Sequence, residues 1–362
     1  MAWFNRPYSS GGSEIKRTSL YTLSEGADLD AIRKRQQEEK HRAGTMEEPK
    51  ITLPSSLPEG APVLGLRVDV DTHDGMRDGV PRLLDTLRET GARGTFYLAF
   101  GPDNSGRAIL NVVTRPGFLK KMLRTGAPKV YGWRTMLSGT LLPARKVALA
   151  FPHIARRIKE EGHEVGVHAW NHRSWQDRLL RFSSERVVLE LERGAEAFAQ
   201  IFNEKPRTFA APAWFCRNES LEHQELMNLD YASDCRGSDP FLPVIDVRPM
   251  RTPQVPTTMP TLDEALGEAD RDASSFFAKR LAEIEVGQWH SLTVHAELEG
   301  GPYLNEFADF LREAKGRGIA IATLRDLLGA RLATGRPLPH CTMSYGEVEG
   351  RHGIVSLQML EV

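Results

Sequence analysis

Cysteine is scarce in this 362-residue chain, with three residues, Cys216, Cys235 and Cys341, odd in number and far apart. That argues against a disulfide framework and for a reducing compartment. No apolar run approaches the ~18 residues that a membrane span needs. The opening Met1-Ala2-Trp3-Phe4-Asn5-Arg6-Pro7-Tyr8 turns polar before any secretory hydrophobic region forms. Net charge is nearly absent as well, at -1, so no general attraction to nucleic acid is expected. An electrostatic partner must be held by a local patch. Internal repeats are missing too. What remains, 40% hydrophobic and 26% charged residues, is ordinary for a globular enzyme. A cytoplasmic location is the simplest expectation.

Residues 1–60 are set apart by Ser/Gly clusters, the charged run Arg33 to Lys40 and the Pro/Ser-rich Leu53 to Pro58. Ala31 to Arg42 has no apolar stripe to anchor a helix, so an extension without its own core is expected. From Pro62 onward the pattern changes. Val63 to Val70 reads as a buried strand, Val80 to Thr90 as a helix ending before Gly91, and Gly94 to Phe100 as a second strand. Helical spacing at 152–161, 185–202, 219–228, 274–285 and 305–316 alternates with strand candidates at 163–168, 207–211, 230–234, 290–295 and 318–322. Alternation of this kind predicts βαβ units in a parallel sheet or barrel, with reactive groups at the C-terminal strand ends. The expected unit covers residues 61–332, and 333–362 reads as a C-terminal tail.

Residues 101–150 interrupt the alternation. They hold nine Lys/Arg against one acid, Asp103, interleaved with Phe118, Met122, Tyr131, Trp133 and several leucines. Two readings are open. Such a helical, basic, amphipathic insertion suits an anionic membrane surface, or it packs as a two-helix cap on the barrel.

Three short runs carry chemistry: Val68-Asp69-Val70-Asp71-Thr72, His168-Ala169-Trp170-Asn171-His172 and Thr293-Val294-His295-Ala296-Glu297. The first puts two carboxylates at the end of an apolar strand, the second two imidazoles four residues apart, the third a histidine at another strand end. One carboxylate and two histidines make a three-ligand metal site with open positions. The leftover carboxylate and third histidine supply a base and an acid, which is the equipment of a metal-dependent amide hydrolase. Taken alone the histidine pair says little, since eleven histidines give that spacing by chance. On a helical turn the two would share a face. Strand alternation would place Asp69 and Asp71 on one face despite the intervening Val70.

These motifs resemble the polysaccharide deacetylase family with the NodB homology domain, over about residues 62 to 330. Gly65 to Thr72, Gly101-Pro102-Asp103-Asn104-x-Gly106-Arg107, Val130-Tyr131-Gly132-Trp133, Ser233-Asp234-Cys235-Arg236-Gly237, Met259 to Glu264 and His295 to Gly300 are similar to one branch of it. That branch comprises the deformylases of 4-formamido-4-deoxy-L-arabinose on a polyprenyl phosphate in lipid A modification. The resemblance implies an α/β fold, a distorted (β/α) barrel. It implies Asp71, His168 and His172 as ligands of one divalent ion, Zn²⁺ or else Mn²⁺, Co²⁺ or Fe²⁺. Asp69 is then the general base and His295 the acid that protonates the leaving nitrogen. A backbone N–H near Trp214 is expected to hold the oxyanion. Tyr231, Asp234 and Arg236 are expected to grip the sugar or phosphodiester. Glu297 and Glu299 either contact sugar hydroxyls or lie in solvent.

One departure stands out. The family carries an Arg that orients the catalytic Asp, in a loop that here reads Ala210-Ala211-Pro212-Ala213-Trp214-Phe215-Cys216-Arg217. Phe215 stands where that Arg is expected, and Arg217 is the candidate substitute. The implied activity is release of formate from a polyprenyl-phosphate-linked sugar, relevant to cationic-peptide resistance, on the inner face of a membrane. Two rivals are a general carbohydrate N-deacetylase and a catalytically silent binder of lipid-linked sugar.

Overall fold

The computed structural model describes residues 53, 57, 60–104, 144–266, 272–351 and 353–360. Within them one parallel sheet organises the fold. Strand β1 (Val63–Val70) lies between β2 (Thr95–Ala99) and β8 (His290–His295), and β3 (Glu164–Ala169), β4 (Thr208–Phe209) and β5 (Tyr231–Ala232) continue outward from β2. The short β9 (Ala320–Ala322) pairs with Val63–Gly65 at the start of β1. Every pairing in this sheet is parallel, as helical crossovers require. The sheet curls into a half-barrel.

All eight residues of β1 are buried, yet its two faces differ in chemistry. Leu64, Leu66, Val68 and Val70 join the main apolar core beneath the helices. The alternate residues Gly65, Arg67 and Asp69 face the barrel interior. There α9 (Leu324–Ala333) closes the bottom: a Cβ on Gly65 would lie 2.9 Å from both Leu324 and Leu327 side chains. Period-two alternation repeats in β3 and β8. Val165 and Val167, Leu292 and Val294 pack outward, while His168, Thr293 and His295 turn inward.

The helices follow their sequence signals. A π-helical turn, Gly75–Gly79, leads into α1 (Val80–Thr90), which stops at Gly91 in the left-handed conformation (φ 74°). Helices α2 (Pro152–Glu160), α4 (Ser184–Phe202), α5 (Asn218–Leu226), α7 (Ala273–Ala282) and α8 (Leu304–Gly316) match the expected segments closely. Helix α3 (His172–Arg178) and the one-turn α6 (Leu262–Ala265) were not signalled by periodicity, because each is too short to show it.

The second sheet had no counterpart in the sequence pattern. Strand β6 (Leu242–Ile245) pairs with β7 (Arg248–Pro249) and with β10 (His340–Gly346), which pairs antiparallel with β11 (Val355–Leu360). The stretch read as a C-terminal tail therefore carries two strands. They dock beside the barrel mouth: the Arg236 N–H donates to Ser356 O at 2.9 Å, and the Gln358 N–H to Arg236 O at 2.9 Å. Of the basic insertion, residues 105–143 lie outside the described residues. Its ends are held together, since the Asp103 N–H donates to Arg145 O at 2.7 Å and the Val147 N–H to Gly101 O at 3.1 Å.

Candidate active site

Three parallel strands deliver the three runs to one place. Asp69 on β1 sits in register with His295 on β8, and His168 enters from β3. Asp71 Oδ1 lies 3.2 Å from His168 Nε2, and Asp71 Oδ2 lies 3.3 Å from His172 Nε2. Asp69 Oδ2 is 3.7 Å from His168 Nε2. The ligand-type atoms of Asp71, His168 and His172 all fall within 4.8 Å of one another.

The two histidines do not share a helix. His168 is the fifth residue of β3, and His172 opens α3 after a sharp turn. Asn171 makes the turn possible by accepting the Ser174 N–H at 3.0 Å on its side chain. The i, i+4 spacing thus reaches one point through a strand end and a helix start, not through one helical face.

The donor set fits a cation. His168 Nδ1 is bonded to Ala210 O at 2.8 Å, which leaves Nε2 with a lone pair aimed at a carboxylate oxygen. Asp71 Oδ1 is buried with no hydrogen-bond partner. Lone pairs facing each other across about 3 Å are unfavourable unless a metal ion or a proton lies between them. Burial opposes the proton on His168, but Asp69 and Asp71 raise that imidazole and supply the negative charge that attracts either cation. Burial pushes the His172 imidazole down to about 4, so it is neutral and able to ligate. Burial works the other way on Asp71, but His172 and His168 outweigh it and keep the carboxyl low.

Arg67 holds Asp69. Its Nε and Nη2 each donate to one carboxylate oxygen at 2.7 Å, a planar two-pronged pair, and Nη1 donates to Ser233 O at 2.6 Å. Both residues are buried. Burial alone would raise the Asp69 carboxyl; Arg67 and His168 hold it below the usual range. Arg217 does not substitute for the missing loop Arg. It is the N-cap residue of α5, donating to Leu179 O at 3.1 Å and Phe182 O at 2.7 Å and pairing with Glu219. Phe215 is buried, its ring packed edge-on to Tyr345. The guanidinium comes from the strand two residues before Asp69, where alternation puts it on the same face. Sequence reasoning passed over Arg67 because it looked for the charge in the loop.

His295 is flanked by carboxylates. Its Nδ1 lies 3.6 Å from Asp263 Oδ1. Burial opposes protonation, but Asp263, Asp71, Asp69 and Glu299 together push the imidazole up to about 9. Asp263 lies in α6, and its sequence neighbourhood alone carries no signal that it meets His295. Glu297 and Glu299 are held at the strand ends rather than loose in solvent. Glu297 Oε1 accepts the Asp71 N–H at 3.1 Å, the Thr72 N–H at 2.8 Å and the Thr72 hydroxyl at 2.7 Å. Glu299 is buried and accepts the His295 N–H at 2.8 Å. Each ties a strand end in place, and burial pushes each carboxyl up to about 7.

The remaining expected contacts divide. Trp214 is buried with its ring 6.4 Å from that of His295, edge-on, and its indole N–H donates to Thr257 at 2.8 Å. Ala213 and Trp214 both take left-handed backbone angles (φ 59° and 51°), a strain often found at functional loops. The backbone N–H groups of Trp214 and Phe215 donate to Ala211 O and Pro212 O, each at 3.2 Å, so they are already engaged. Tyr231 is not brought to the cluster: it lies inside the barrel below, donating to Glu164 at 2.5 Å. Asp234 is buried and accepts the Ala211 N–H at 2.7 Å, so it braces the loop and does not face a substrate. Arg236 stacks on Trp214 at 4.9 Å and pairs with Glu264.

Comparison with known proteins fits this geometry. Residues 62–232 match the family model for polysaccharide deacetylase. A Shewanella sediminis protein named "Probable 4-deoxy-4-formamido-L-arabinose-phosphoundecaprenol deformylase ArnD" is 34% identical over 73% of this chain and 85% of its own. A Wigglesworthia glossinidia brevipalpis protein of the same name is 31% identical over 78% of this chain and 98% of its own. A solved Mycobacterium smegmatis structure, described as a polysaccharide deacetylase, superposes with a TM-score of 0.54 at 18% identity, covering 82% of this chain and 99% of that one. The last likeness shows the fold.

The Arg67–Asp69 pair yields a stability prediction. Arg67→Met leaves a buried carboxylate alone, which costs roughly 3–5 kcal/mol in urea unfolding. Adding Asp69→Leu should recover most of it. A loss below about 1 kcal/mol in the single variant would match an exposed pair and contradict the geometry.

Proposed function

The chain belongs to the polysaccharide deacetylase family and is a hydrolase of amide bonds; from that premise we propose that it removes the formyl group from a polyprenyl-phosphate-linked 4-formamido-4-deoxy-L-arabinose. The observation that carries this reading is the identity of 31–34% with two proteins of that name over most of their length. The products are formate and a free amino sugar, which adds a cation to the lipid-linked unit and so bears on resistance to cationic peptides.

Asp71, His168 and His172 would hold a divalent ion, Zn²⁺ or Mn²⁺, Co²⁺ or Fe²⁺, because a His₂Asp set is not strongly selective. When bound, such an ion polarises a carbonyl and lowers the pKa of water from ~15.7 toward ~7. Asp69, held ionised by Arg67, takes the proton of the attacking water. His295, charged at neutral pH through Asp263 and its neighbours, gives a proton to the nitrogen as the C–N bond breaks. Without that proton the leaving group would be an amide anion. Residues 61–332 are read as the catalytic unit, with 1–60 an extension.

Turnover decides between this function and its rivals. Purified protein should release formate from the lipid-linked formamido sugar. Faster acetate release from the acetamido analogue would favour a general deacetylase, and no release with either would favour a silent binder. Elemental analysis should show about one divalent ion per chain, lost in Asp71→Asn, His168→Ala or His172→Ala. Asp69→Asn and His295→Ala should keep the ion and lose activity by roughly 10²–10⁴-fold. Loss of the ion in Asp69→Asn would reverse the roles of the two aspartates.

A pH profile tests the acid. The folded-state value of His295 is raised, so the protonated form exists below about 9. Activity should fall as pH rises through that value, or through a lower one when a divalent ion is bound nearby. Asp263→Asn removes the first of the charges that raise it and should move the alkaline limb to lower pH. An unmoved limb would assign it to another group.

Among the described residues no helix is long and apolar enough to cross a membrane. Peripheral contact through the basic stretch 101–150 is the proposed route to a lipid-linked substrate on the cytoplasmic face. The protein should then sediment with anionic vesicles and leave them in high salt. Replacing Lys120, Lys121 and Arg124 by Gln should weaken binding by up to about 3 kcal/mol, at about 1 kcal/mol per charge. Equal binding by wild type and variant would support the cap reading.

A further inference from the structure

Two arginines that no catalytic step uses meet beside the reaction site. Arg236 follows β5, and Arg351 lies in the turn between β10 and β11. Both guanidinium groups sit over the indole of Trp214, with Cζ at 4.9 Å and 4.6 Å from the ring centroid. The same indole turns its edge to His295. Arg67 also approaches this ring, at 5.4 Å, but its charge is met by Asp69.

The other two arginines share one carboxylate. Glu264 Oε1 accepts from Arg236 Nη1 at 2.9 Å and lies 3.6 Å from Arg351 Nη1. Its second oxygen accepts the Thr261 N–H at 3.0 Å. Asp263, the neighbouring acid, faces His295 and accepts the Thr261 hydroxyl at 2.6 Å. Among the described residues, then, two guanidinium ions answer one carboxylate, and one positive charge is left over in a largely buried place. Burial, with Arg351 and Arg67 nearby, disfavours the charge on Arg236, although Glu264 supports it.

The arrangement is held by backbone. The turn presses on α6: a Cβ on Gly350 would lie 2.3 Å from Glu264 O, and its φ of 77° is one that glycine tolerates. Arg236 itself is bonded through its backbone to Ser356 and Gln358 of β11. Its side chain also donates to Met259 O at 2.9 Å. The Arg351 side chain keeps 13% of its surface exposed and that of Arg236 9%, so Arg351 is the outer group.

We propose that Arg236 and Arg351, stacked on Trp214, form a subsite for the phosphate-ester group of the substrate, with Arg351 making the contact. A planar guanidinium matches phosphate oxygens in shape and charge. A cation surplus among largely buried side chains favours an anion there. The identification of the ester as that of a lipid-linked sugar rests on the proposed function, whereas the anion subsite does not.

Calorimetric titration of the full-length protein with a ten-carbon prenyl phosphate, the matching prenyl alcohol and inorganic phosphate tests this. Wild type should bind the prenyl phosphate more tightly than the alcohol. Arg351→Gln should weaken the phosphate by roughly tenfold to a hundredfold, the range for a charge-assisted hydrogen bond, and leave the alcohol unchanged. Glu264→Gln should act oppositely and tighten it. Gln at that helix position keeps the capping box with Thr261 while removing the neutralising charge. If Arg351→Gln does not fold, the sign of the Glu264→Gln effect still decides. Unchanged phosphate affinity in Arg351→Gln, or no gain in Glu264→Gln, would overturn the subsite and leave the pair as a clasp for the C-terminal hairpin. Parallel effects on inorganic phosphate would support the subsite and assign it to the phosphoryl group alone; effects confined to the prenyl ester would support it and assign it to the lipid-linked form. Binding does not require turnover. Absence of formate release would therefore defeat the deformylase reading without deciding this one.

Discussion

Four carboxylates, Asp69, Asp71, Glu297 and Glu299, crowd one end of the half-barrel, largely out of water. Like charges in so dry a place repel strongly, and each also loses its hydration. The rest of the site can be understood as the answer to that constraint. Arg67 neutralises Asp69 within the same strand. Glu297 and Glu299 are drawn toward neutrality by burial, and each spends one oxygen on backbone N–H groups. Asp71 keeps one buried oxygen without a partner, facing the lone pair of His168. A divalent ion would satisfy what is left, which is why the donor set fits a metal site.

The same constraint fixes geometry. Glu297 bridges from β8 to the loop after β1, so the carboxylate that would ligate and the histidine that would donate a proton cannot drift apart. A Cβ on Gly75 would lie 2.3 Å from Glu297 Oε1, and one on Gly79 would lie 2.0 Å from Ala296 O. The chain after β1 must therefore run against the chain after β8 with no side chain between them. Close packing of two backbone segments holds the two halves of the chemistry in place.

Arg67 supplies from the strand the charge expected from the loop. A guanidinium two residues before an aspartate on a strand meets it on the same face, whatever the loop contains. Phe215 is then free to pack against Tyr345 in the C-terminal hairpin. That hairpin in turn carries Arg351 to Trp214. The loop 210–217 thus seats the C-terminal hairpin at the mouth of the site.

The sequence by itself determined the strands of the parallel sheet and the longer helices between them, since these have a clear period, whereas the helices at 172–178, 262–265 and 324–333 did not announce themselves. It also determined the residue types of the metal-type cluster, because Asp69, Asp71, His168 and His295 fall at or just past strand ends and His172 follows four residues after His168. What periodicity could not express was decided by tertiary structure. The strands at 340–346 and 355–360 gain their meaning only by pairing with β6 and with each other. Tyr231 and Asp234 share a motif with Arg236, but strand direction sends the first into the barrel floor and a loop amide claims the second. Arg67, Asp263 and Arg351 act through partners far away in the chain, or through a face that alternation sets. Local sequence specifies which backbone shape forms; only the folded chain specifies which charges meet, because electrostatic partners are chosen by distance in space.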